Sequence, residues 1–212
     1  MRKVAVYVEG GGNVASQKAE LRKGFEELFR EQRQLISTRG SRLDFIFCGS
    51  RHQAYSKFIN EIRQNDNSTV VALLVDAEMA VMPEKSSKSH LEQSDGWDLK
   101  KVDAERIHLM VECMETWIVA DPDAVATYYG KNFRHQGLPT RANLEEVPKS
   151  EVYDKLAKAT KDTSKGAYSG PNHSKIRHAS ELLLRIDAKK VAARCSRFQV
   201  FIGWLDDQFM PV

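Results

Sequence analysis

The chain of 212 residues reads as an α/β protein: a mostly parallel sheet flanked by helices, followed by a basic helical region. Three observations predict this. Four apolar runs, at residues 4–8, 43–48, 69–75 and 107–112, alternate with amphipathic helical patterns. The first and third runs are almost continuously apolar, as strands buried on both faces are. Beyond the Gly-, Pro- and Asn-containing loop at 130–148, only helical periodicity remains. The expected division is an α/β core over 1–130 and a helical region over 131–212 packed on it.

The first strand stops at Glu9, followed by Gly10, Gly11 and Gly12. An acid there lies on the edge where open α/β sheets bind ligands, and the glycines let backbone approach a bulky or charged group. A turn with a solvated acid is the plainer reading. Residues 14–35 carry one apolar stripe, with Asn13 as the expected N-cap. Strand, glycine turn and helix N-terminus together form an anion-binding arrangement. It matches neither the phosphate-loop pattern ending in Gly-Lys-Ser/Thr nor the dinucleotide-binding glycine spacing.

Residues 43–48 form the second strand and 51–63 the second helix. The third strand, 69–75, is the most apolar run and is placed centrally. It ends in Asp76-Ala77-Glu78. If the strand persists, these two acids share a face; their mutual repulsion turns favourable around a divalent cation. Residues 79–99 are polar and are expected to be a long mobile loop. The fourth strand ends at Glu112, which is read either as a further metal ligand or as a structural hydrogen-bonding group. A short helix then runs to Pro122, with another over 123–129 capped by Asp121 or Asp123. Three strands thus bring carboxylates to one sheet edge.

Helical segments follow near 150–160, 174–186, 188–194 and 197–207. The stretch from Lys165 to His178 combines small residues with Lys, Arg and His at a helix start. Lys175 and Arg177 are its candidate phosphate contacts, and His173 and His178 are weaker ones. His108 reads as a core or surface position, and Trp117 and Trp204 read as core. The net charge of +3 is uneven: residues 149–197 hold twelve of the 32 basic and five of the 29 acidic residues, leaving an acidic remainder. That polarity suits a metal site beside a polyanion-binding surface, or ordinary solvated helix faces. Three dispersed cysteines support neither a disulfide framework nor a zinc site. Neither a membrane-length apolar run nor a signal-peptide core is present, so a cytoplasmic location is expected.

Two short motifs, Val8-Glu9-Gly10 and Val75-Asp76-Ala77-Glu78, resemble the Toprim motifs, whose second commonly reads Asp-x-Asp. The block from Val111 to Pro122, Val-Glu-Cys-Met-Glu-Thr-Trp-Ile-Val-Ala-Asp-Pro, resembles a more specific signature. It is similar to a Toprim-like family of unknown function that includes RloG-type and AriB-type proteins of bacterial restriction and phage-defence loci. The closing residues 198–205 look similar to that family too, so the resemblance spans about 4–205. It implies a Toprim-like Rossmannoid fold and a metal-dependent nuclease. Glu9 is then the general acid/base, and Asp76 and Glu78, with Glu112, hold Mg²⁺ or Mn²⁺. Nucleic acid is the expected partner; a separate ATPase and a homodimer are further possibilities. The alternatives are a non-catalytic adaptor binding nucleic acid or an ATPase, and a phosphatase or phosphotransferase on the same metal site.

Overall fold

The computed structural model describes residues 3–64, 69–168 and 174–208. Its centre is a four-stranded sheet: β1 (Lys3–Val8), β2 (Arg42–Phe47), β3 (Thr69–Asp76) and β4 (Ile107–Met110). The strand order is β2-β1-β3-β4, and all three pairings are parallel. The α/β reading with a parallel sheet and C-terminal helices therefore holds.

Alternation along β1 explains the burial of both faces. Val4, Val6 and Val8 point into one apolar cluster with Phe25, Phe29, Phe45 and Trp117. Ala5 and Tyr7 point into a second cluster with Phe58, Leu73 and Leu91, as the two-residue period of a strand requires. The first face is covered by α1 (Ala15–Leu28), α2 (Arg30–Thr38), α8 (Ser174–Leu183), α9 (Ala188–Arg194) and α10 (Ser196–Asp207). The second is covered by α3 (Arg51–Gln64) and α4 (Ser87–Asp95). The remaining helices are α5 (Glu115–Val119), α6 (Pro122–Tyr129) and α7 (Lys149–Thr160). Residues from both sides of position 130 share the first cluster, including Leu182, Leu183, Phe198 and Phe201.

Several local expectations change. The helix over 14–35 is two helices that break at Phe29, a fully buried ring packed against Phe25, Phe45 and Phe198. Its N-cap is Val14, not Asn13. The polar stretch 79–99 is not a structureless loop. Ser86 caps α4 by accepting from the Ser89 amide, and Gly96 closes it in the left-handed conformation. His90 and Leu91 are buried beneath it, and His90 Nε2 lies 3.0 Å from the Ala77 carbonyl. The capping chemistry outweighs the polar composition here. Asp121 caps α6, as one of the two alternatives had it.

His108 is a core residue in ring contact with Phe201 and Trp204; burial drives its pKa down to about 3. His178 does not face a ligand surface. It is buried, with Nδ1 2.6 Å from the Tyr129 hydroxyl. Residues 169–173, including His173, lie outside the described residues. No helix among those described is long and apolar enough to cross a membrane.

Candidate functional site: an acidic cleft at the sheet edge

Parallel pairing puts the C-terminal ends of β1, β3 and β4 on one edge. A cleft of about 330 Å³ opens there, with Glu9, Asp76, Glu78, Glu115, Lys149 and Lys175 among its lining residues. Larger concavities lie elsewhere, among them one of about 980 Å³ between β4 and α10 and one of about 630 Å³ beside α2 and α9. Neither gathers the acids of the strand ends.

Glu9 follows β1, and its backbone N–H still donates to Leu74 O on β3 at 3.1 Å. Its carboxylate Oε2 accepts from the Asp76 amide at 3.3 Å and lies 3.5 Å from Arg51. Arg51 begins α3, clamps both oxygens of Asp95 at 2.6 and 2.8 Å, and donates to the Asp76 carbonyl. Such a two-pronged guanidinium contact fixes direction as well as charge. It ties α4 and α3 to the two acids at the sheet edge. Burial raises the Glu9 pKa above the ordinary glutamate value; Arg51 opposes the shift and Glu78 adds to it.

Asp76 ends β3. Its Oδ1 accepts from the Met114 amide at 3.0 Å, and its Oδ2 faces the Lys149 ammonium at 3.5 Å. Its side chain is only 15% exposed. Burial first, then the neighbouring Glu115 and Glu9 carboxylates, hold its pKa well above the usual aspartate value, with Lys149 pulling the other way. The strand does not persist to Glu78. Ala77 still donates to Met110 O, after which Glu78 turns into a left-handed conformation at φ 64°, uncommon for a side-chain-bearing residue. Its amide donates to Glu112 O at 2.9 Å, which holds the turn. Asp76 and Glu78 are therefore brought together by a common partner rather than by strand alternation: the Lys149 ammonium lies 2.7 Å from Glu78 Oε2. Burial favours loss of the Lys149 proton, but Glu78 and Asp76 outweigh it and keep the pKa above that of an ordinary lysine.

Glu112 makes the structural hydrogen bond that one of its two readings expected. Its Oε2 accepts from the Lys149 backbone amide at 2.8 Å. It is buried and satisfies an amide in the first turn of α7, one of the donors every helix start leaves open. Glu115, whose role the sequence left undecided, does reach the cleft. It is 2% exposed and accepts from the Tyr153 and Tyr168 hydroxyls, each at 2.9 Å. Lys175 completes this group, 3.1 Å from Glu115 Oε1 and 2.7 Å from the Tyr153 hydroxyl.

Lys175 thus lines the cleft, whereas Arg177 is exposed and is not among the lining residues. Two positions along a helix turn the side chain by about 200°, so the two residues face opposite ways. Of the glycines, Gly10 and Gly11 line the cleft. The Gly10 amide is already engaged, donating to Gly49 O at 2.8 Å. Gly11 (φ +78°) lets α1 close over the loop: a Cβ there would stand 2.7 Å from Lys18 Cγ. Gly12 does not line the cleft.

Lys149, Arg51 and Tyr153 are site residues that sequence reasoning missed. Arg51 carried a weak signal, being basic at a helix start just after a strand-end glycine. Lys149 and Tyr153 carried none beyond the general basic charge.

A metal fits this donor set with help. Among the described residues, no three His, Cys, Asp or Glu side chains close on one point. Asp76 and Glu78 offer hard carboxylate oxygens around a position that an ammonium now neutralises, with Glu9 adjacent. Mg²⁺ commonly uses one or two carboxylates, with water and phosphate oxygens completing its shell.

Fold and site define a parallel α/β protein with an acid-lined cleft at its sheet edge. The chain belongs to the family described as "Domain of unknown function (DUF4276)", whose model matches residues 8–206. No curated protein and no solved structure matches the chain.

Proposed function

We propose that the chain is a Toprim-like, metal-dependent hydrolase of nucleic-acid phosphodiesters, acting as the effector of an anti-phage or restriction-linked system. The supporting observation is the meeting of Glu9, Asp76 and Glu78 in one cleft whose remaining wall carries Lys149 and Lys175. Asp76 and Glu78 are the residues that would hold Mg²⁺ or Mn²⁺. Bound there, the ion supplies charge neutralisation on the phosphate and a more acidic water. Lys175, steered by Glu115 and Tyr153, contacts a non-bridging phosphate oxygen. Glu9 takes the proton of the attacking water, the phosphorus–oxygen bond to the leaving group breaks with its electron pair on the departing oxygen, and that oxygen takes up a proton from solvent. The raised pKa of Glu9 makes it a stronger base than an ordinary glutamate. Arg51 holds that carboxylate in place.

The test is cleavage of DNA and RNA with Mg²⁺ or Mn²⁺. Asp76→Ala with Glu78→Ala is expected to abolish activity, and Glu9→Gln to lower it about 100-fold or more. A folded double variant as active as the parent protein refutes the metal assignment.

A second reading has its own support. With Lys149 already neutralising Asp76 and Glu78, the fold also suits a non-catalytic adaptor that binds nucleic acid or a partner ATPase. Calorimetric titration separates the two: no Mg²⁺ uptake, with or without nucleic acid, favours the adaptor.

A further inference from the structure

The position of Lys149 has a consequence for how the cleft takes up its ligands. Its ammonium lies 2.7 Å from Glu78 and 3.5 Å from Asp76, where the two carboxylates would otherwise face a divalent ion. A cation entering there meets a positive charge already in place, and the two repel. The backbone of Lys149 is fixed, since its amide is bonded to Glu112 at the start of α7. The side chain is not: it is 24% exposed and has a flexible four-carbon stem. Ejected from between the carboxylates, the ammonium either turns to water or takes another anion within reach of that stem. Nearby Glu115 is already bonded to two tyrosines and Lys175, and Glu9 to Arg51 and the Asp76 amide. Glu112 is held by the Lys149 backbone amide, so the anion best able to take it is a group on the ligand.

We infer that Lys149 is an exchangeable internal counter-ion that couples metal binding to phosphate binding: the divalent ion displaces its ammonium from Asp76 and Glu78, and the displaced ammonium transfers to a phosphate oxygen of the nucleic acid. This rests on the metal-site reading above. Three features follow. The metal alone binds weakly. The phosphate-bearing ligand tightens it, and by reciprocity the metal tightens the ligand by the same factor. Lys149 is thereby a positioning residue for the metal and a direct contact for the phosphate. It keeps the acidic cleft neutralised until both ligands are present.

The experiment measures Mn²⁺ binding by electron paramagnetic resonance on the full chain. It is done with and without a phosphorothioate oligonucleotide that resists cleavage, for the unaltered protein, Lys149→Met and Lys149→Arg. Met keeps the length and packing of the stem and removes the charge. For the unaltered protein, the oligonucleotide is expected to tighten Mn²⁺ binding about tenfold, within the range of measured couplings. Lys149→Met is expected to bind Mn²⁺ alone about tenfold more tightly and to lose most of the oligonucleotide's effect. Lys149→Arg is expected to retain the coupling. If the parent protein binds Mn²⁺ and Lys149→Met binds it equally well, the counter-ion role is overturned while the metal site stands. If neither binds Mn²⁺ in any condition, both are overturned. Circular dichroism and the melting temperature confirm that each variant is folded.

Discussion

Asp76 shows how one residue is set by conflicting demands. The parallel sheet buries it, Met114 and Lys149 bind it, and three other carboxylates lie near enough to act on it. Its raised pKa means that the folded chain holds this proton more tightly than the unfolded chain does. As pH rises through that window, from the ordinary aspartate value up to the folded one, stability falls. In metal-free buffer at pH 7, Asp76→Asn is expected to raise the melting temperature by about 2–4 °C, the shift that ~1 kcal/mol gives in a domain of this size. Asn retains the oxygen that Met114 uses. At pH 3, where aspartic acid is neutral in both states, the difference is expected to vanish. Adding Mn²⁺ should reverse the order at pH 7, since only the parent protein then gains from the bound ion. A lower melting temperature for the variant in metal-free buffer at pH 7 would show that the carboxylate charge is fully compensated by Lys149.

Between elements, α1 and α8 pack in close contact at Gly24. Gly24 is buried in the middle of α1, and a Cβ there would stand 2.8 Å from Leu183 Cβ and 3.0 Å from Ser180 O. Gly24→Ala would gain up to about 1 kcal/mol in helix propensity. Against that, it pushes α8 away, at about 1–3 kcal/mol for overpacking. The atoms it meets are a Cβ and a backbone oxygen, neither of which can swing aside, so packing wins. A net loss of about 1 kcal/mol is expected in urea unfolding. Because α8 carries Lys175, the Lys175–Glu115 contact should loosen as well. An unchanged midpoint would mean that the two helices separate without cost. The same scale explains α4. Its polar sequence masks a capped helix that carries Asp95 to Arg51, so a segment that reads as a loop in one dimension braces Glu9 in three.

Over the whole molecule, one apolar cluster runs from Val4 to Leu205 and covers the β1 face that carries α1, α8 and α10. Cutting at Gly130 removes Leu156, Leu182, Leu183, Phe198, Phe201 and Leu205 from it, all fully buried. At roughly 1.5–3 kcal/mol for each large side chain, the loss is as large as the whole 5–15 kcal/mol that typically holds a domain together. A fragment of residues 1–130 is therefore expected not to fold alone, read as lost near-ultraviolet dichroism, and the full chain is expected to melt in one calorimetric transition. Two separate transitions would instead make the basic helices an independent unit. The charge asymmetry along the chain is built into the site by this packing: helices of the basic third supply Lys149 and Lys175 to a cleft whose acids come from the sheet.

What was legible in the sequence is what is written locally. Unbroken apolar runs announce buried strands, and an acid at the end of each of three such strands lies at one edge once the strands are parallel. Glu9 and Asp76 follow from that, as does Lys175 from its place at a helix start. Which atoms those acids face is not local. Glu78 reaches Lys149 across 71 positions, and Glu115 reaches Tyr153 and Tyr168 across 38 and 53. Glu112 looks like one more strand-end acid until α7 presents an amide to it. Lys175 and Arg177 look alike until the helix turns them apart. Hydrophobic periodicity determined the sheet and its acidic edge because burial selects residue types one strand at a time. Only the tertiary structure decided which charges are paired, since a buried charge takes its partner from whatever the packing of distant helices sets beside it.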